Sequence, residues 1–103
     1  MNRFEREVPL TTEMQGRWVE DGDASSELVI KDGEINCFGS SVEYDYKDVG
    51  QIDGALTVSL GVNDASQQDS FQRANITGLV ISPDGEFLVY NVKFGALFVR
   101  PSA

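Results

Sequence analysis

The sequence predicts an all-β protein, an eight-stranded antiparallel up-and-down (meander) β-barrel, with a β-sandwich as the alternative architecture. Three observations carry this. From Gly16 onward apolar and polar residues alternate with period two. Turn signals built from Gly, Asp and Pro-Asp-Gly interrupt the alternation at short intervals. No helical period of useful length follows residue 15. Eight short strands joined by tight turns can close on themselves and so remove their exposed edges.

The 103-residue chain is read as an N-terminal arm over residues 1–13 followed by one domain over 14–103. Strands are expected near 16–20, 25–31, 34–38, 41–48, 54–62, 71–82, 86–92 and 96–100. The clearest hairpin is "LVIKDGEINC", where Asp32-Gly33 suits a two-residue type I′ turn with positive φ at both central positions. That turn pairs Lys31 with Glu34, Ile30 with Ile35 and Leu28 with Cys37, which places the apolar four on one face. "SVEYDYKDV" alternates Val42, Tyr44 and Tyr46 against Glu43, Asp45 and Lys47, and "ALTVSLGV" alternates Leu56, Val58, Leu60 and Val62 against Thr57 and Ser59. The polar stretch 63–70 is the longest candidate loop, strand character resumes near Phe71, and Gly85 in "SPDGE" takes the left-handed bulge position of a turn. A last turn is expected near Lys93–Gly95.

Composition narrows the function. Eight basic residues against seventeen acidic ones give a net charge of −9, and no Lys/Arg cluster is present to displace counterions from a phosphate backbone. Nucleic acid is therefore not an expected partner, nor is an anionic membrane surface. The opening "MNRFEREVPL" lacks the apolar run of a secretory signal, so a cytoplasmic protein is expected. Histidine is absent and Cys37 is the single cysteine. This removes histidine-based nucleophilic catalysis and thiolate metal clusters, and no metal site or cofactor is predicted. Catalysis would have to rest on carboxylates or tyrosines, and Glu43 faces away from Tyr44 and Tyr46, so no catalytic residue is assigned.

Two features at the chain's extremes carry a resemblance. Gly16-Arg17-Trp18 opens the first strand of the domain and Arg100 closes the last. This pattern resembles the calycin superfamily, the lipocalins, fatty-acid-binding proteins and streptavidin-like proteins. The stretches "GRWVEDGD", "ELVIKDGE" and "GALFVRP" are similar to those of small uncharacterised bacterial streptavidin-like barrels. The resemblance implies an indole at the closed end of a barrel with a guanidinium across its face, a contact worth about 0.5–2 kcal/mol. The chain is shorter than typical members, and the biotin-binding residues of avidins and the arginine–tyrosine carboxylate trap of fatty-acid-binding proteins have no match in it. The resemblance therefore carries over no ligand.

Two functional readings follow. In the first, a small apolar or amphipathic molecule binds in the barrel interior, lined by Leu28, Ile30, Cys37, Tyr44, Tyr46, Leu56, Val58 and Leu60. In the second the interior is filled. An outward apolar row of Val80, Leu88 and Tyr90 then supports a homo-oligomer or a protein partner, unless the N-terminal arm covers it.

Overall fold

The computed structural model describes residues 2–91 and 95–101. Its strands are β1 (Asn2–Glu5), β2 (Gly16–Glu20), β3 (Asp23–Lys31), β4 (Glu34–Cys37), β5 (Ser40–Ser41), β6 (Tyr46–Ile52), β7 (Ala55–Gly61), β8 (Gly78–Ile81), β9 (Phe87–Tyr90) and β10 (Gly95–Val99). One short helix, α1 (Gln68–Ala74), interrupts them, and 3-10 turns occupy Thr12–Met14 and Ala65–Gln67. All ten strands form one antiparallel sheet in the order β1-β6-β7-β8-β9-β10-β2-β3-β4-β5. The sheet curls into an open half-barrel whose ends are β1 and β5, so the strand count is ten rather than eight and the ladder does not close. The turn expected near Lys93 lies outside the described residues.

The β3–β4 hairpin has the register its turn dictates: Leu28 faces Cys37, Ile30 faces Ile35 and Lys31 faces Glu34. The turn conformation differs from expectation, because φ is positive at Asp32 (55°) but not at Gly33. Gly33 answers to a different demand: a Cβ there would collide with the backbone carbonyls of Arg6 and Val8, so only glycine lets the N-terminal arm pass. Both central residues do take positive φ at Phe38-Gly39 and at Asp53-Gly54, the turns that join β4 to β5 and β6 to β7. Gly85 has the left-handed φ (88°) expected of it.

Two expected strands are redrawn. The strand anticipated over 71–82 is helical as far as Ala74, and only Gly78–Ile81 joins the sheet. Local polar bonds decide this: the Asp64 carboxylate accepts from the Ser66 amide, Gln68 Oε1 accepts from the Val62 amide, and Phe71 is the one buried anchor the short helix needs. The strand anticipated over 41–48 is broken. Val42 and Tyr44 are buried as alternation requires, but the parity slips between Tyr44 and β6 and it is Lys47 that turns inward. The slip occurs where the chain crosses from β4 towards β7, as the Val42 amide donates to Ile35 O and the Asp45 amide to Gly61 O.

The arm links one end of the ladder to the β3–β4 hairpin. It pairs with β6 through β1, then runs across to the β3–β4 turn, where the Leu10 amide donates to Asp32 O. No helix among the described residues is long and apolar enough to cross a membrane.

Candidate functional site

Strands β2 and β10 are neighbours, with Val19 opposite Val99. Arg100 lies across Trp18, its guanidinium carbon 3.7 Å from the ring centroid, and also donates to Arg17 O. The indole is buried, meets Phe87 edge-on at 4.5 Å and donates from Nε1 to Met14 O at 3.1 Å. Gly16 makes room for the guanidinium: a Cβ there would come within 2.8 Å of it, and φ is 106°.

Of the eight residues read as lining an interior, Leu28, Ile30, Cys37, Tyr44, Val58 and Leu60 are buried in one continuous core, and Leu56 packs against it half-exposed. These side chains pack against one another. Burial pushes the Cys37 thiol up to about 11, which makes it an unreactive small hydrophobe. Tyr46 lies apart from the core: its ring covers Gly61 on the neighbouring strand and carries the Arg3 guanidinium 3.9 Å from its centroid.

The seam under the arm holds the least expected side chain. Lys47 is fully buried, and its ammonium donates to Glu5 O (2.7 Å), Arg6 O (3.1 Å) and the Tyr44 hydroxyl (3.3 Å). The Tyr44 hydroxyl in turn reaches Gly33 O and Arg6 O. Burial pulls the Lys47 ammonium below its ordinary pKa and pushes the Tyr44 phenol up to about 12. All three ammonium donors are used, so the cluster fastens the arm to the sheet rather than presenting a reactive amine. Outside it, Arg6 bridges Glu34 (2.7 Å) and Glu43 (2.9 Å), and Arg3 pairs with Asp48 (2.8 Å). Sequence alternation had set Lys47 in water. The partners that allow its burial are backbone carbonyls more than forty residues away, which no local pattern encodes.

Between the arm and β6–β7 lies a groove of about 370 Å³. Its walls are Phe4, Val8, Pro9 and Leu10 from the arm and Val49 and Leu56 from the sheet, with Asn2, Thr11, Gly50 and Gln51 completing it. Thr11 holds the N-cap position of the 3-10 turn, yet its side chain makes no capping bond, and its Oγ1 is shielded from water with no hydrogen-bond partner. Such a hydroxyl is costly to leave unpaired. Of the sequence-predicted lining residues the groove contains Leu56 alone. Its other walls went unread because the arm carries no period. A larger cleft of about 730 Å³ on the polar side of the arm is lined by Arg3, Arg6, Glu5, Glu7 and Tyr46 among others, but both its arginines are already paired with carboxylates.

On the outer face Val80 and Leu97 flank Leu88 across β8, β9 and β10, with Tyr90 beside them over Gly78. Leu88 and Tyr90 are 42% and 40% exposed. The arm pairs with β6 and does not cover this row. Comparison with protein-family models, with curated proteins and with solved structures finds no match to this chain.

Proposed function

We propose that the protein binds a small apolar or amphipathic molecule and that the groove beneath the arm is where it does so. One observation carries the reading: six of the ten residues around the groove are apolar, and they enclose a volume of ligand size beside a threonine hydroxyl that has no partner of its own. Leu28, Ile30 and Val58 belong to the buried core, and Val49 and Leu56 extend its apolar surface into the groove. Kinship with the calycins belongs to the same proposal. It is supported by β2 lying beside β10 and by Arg100 stacked on Trp18, and it implies ligand binding without naming a ligand. The test is a titration with Nile red, whose emission reports an apolar site, on the parent protein and on Val8→Trp. Val8 is exposed at the groove wall, so the larger ring fills the groove without disturbing the core. Saturable binding lost in Val8→Trp supports the site; equal binding by both proteins rejects it.

A second reading rests on the outer row. Leu88 and Tyr90, flanked by Val80 and Leu97, form a contiguous apolar strip that a second copy of the chain can cover. Two copies each carrying −9 repel, so this association would strengthen with salt. Sedimentation velocity at low and high ionic strength decides it: a dimer lost on Leu88→Lys supports the face, and a monomer throughout rejects it.

A further inference from the structure

Taking the groove as the binding site, we infer that it selects an uncharged amphiphile, one whose headgroup is an alcohol, amide or ester rather than a carboxylate or an amine. Among the described residues no charged one lines the groove; its polar residues are Asn2, Thr11 and Gln51. Among the described residues, three cations beside the arm are committed elsewhere. Arg3 is held by Asp48, Arg6 by Glu34 and Glu43, and Lys47 by two arm carbonyls and the Tyr44 hydroxyl. A carboxylate entering the groove would therefore lose its hydration without finding a counter-charge, in a chain whose net charge of −9 already repels it. An ammonium fares no better locally, because no carboxylate faces the groove.

A neutral headgroup meets the opposite situation. Thr11 is the single residue whose buried side-chain oxygen lacks a partner among the described residues, and it stands at the N-cap without capping. A step of about 120° about its Cα–Cβ bond carries the hydroxyl to another staggered position, so its direction can change without moving the backbone. A hydroxyl both donates and accepts, which suits it to alcohols, amides and esters alike.

The experiment displaces Nile red from the full chain with decanol, decanoate and decylamine at neutral pH, on the parent protein, Thr11→Val and Val8→Trp. Decanol is expected to bind at least about tenfold more tightly than either charged analogue. Thr11→Val is expected to keep the parent melting temperature and to weaken decanol by about three- to tenfold, and Nile red by less. Decanoate or decylamine matching decanol in the parent, with Val8→Trp still abolishing binding, overturns the selectivity and leaves the groove standing. Decanol binding that Val8→Trp does not disturb overturns the groove itself. Thr11→Val binding decanol as the parent does removes the hydroxyl from recognition.

Discussion

Of the rings that meet a cation, Trp18 and Tyr44 are built on opposite principles. At Trp18 the ring is buried against Phe87 and Met14, while Arg100 stays at the surface above it. At Tyr44 the cation itself is inside: Lys47 lies 5.4 Å from the ring centroid and neither side chain is exposed. The first contact rests on apolar area to which the guanidinium adds little. The second rests on directed hydrogen bonds between segments far apart in sequence. Strand β1, which those bonds secure, has all four residues exposed and buries little apolar surface of its own. The Trp18 end belongs to the cooperative core, whereas the arm is a separately fastened wall of the groove.

The largest effect should come from Trp18→Ala. Losing a buried indole costs about 3–5 kcal/mol, read as a drop in the urea midpoint, and protection from amide exchange should fall throughout the sheet. A loss no larger than that of a surface substitution would place the indole outside the core. Lys47→Met should cost less, about 1–3 kcal/mol, and act locally, because the two arm carbonyls lose their donor and the arm can lift into water. Hydrogen exchange should then quicken at Phe4 and Arg6, whose amides face β6, while the amides of β3 keep their protection. Equal acceleration in both segments would erase the distinction between the two regions.

Alkali offers a gentler probe of the seam. The fold raises the Tyr44 phenol from 10.0 to about 12, through burial first and the nearby Glu34 carboxylate second. The folded state therefore holds this proton after the unfolded chain has released it, and stability should fall as pH rises through that window. Tyr44→Phe removes this contribution, and should flatten the decline measured by urea unfolding across it. The smallest effect is expected at the other ring: Arg100→Met should cost about 0.5–1 kcal/mol in melting experiments, since the cation is exposed and the indole stays packed.

The same contrast governs what could be read from the sequence. The β3–β4 register followed from two adjacent turn residues, and the pairs Ile30–Ile35 and Leu28–Cys37 formed as the alternation required. The meeting of Gly16-Arg17-Trp18 with Arg100 was likewise legible through the resemblance, and β2 and β10 do lie side by side within the sheet. The seam was not. Lys47 looked solvated because its solvating groups are supplied by the arm, and Tyr46 looked internal because the parity slip after Tyr44 leaves no mark in the sequence. Helix α1 escaped notice since one apolar residue, Phe71, and a side-chain bond from Gln68 to the preceding segment suffice for seven residues. Thr11 carries no signal at all. Its hydroxyl is notable for a capping bond it does not make, and only the folded chain shows that.

The groove between the arm and β6–β7 is tested most directly by amide chemical-shift mapping of the labelled full-length protein during titration with decanol. Saturable shifts confined to the two walls, Phe4 and Val8–Thr11 on the arm and Val49–Gln51 with Leu56 on the sheet, are the expected result. Shifts centred on Val80, Leu88 and Tyr90, or none at saturating decanol, would contradict it.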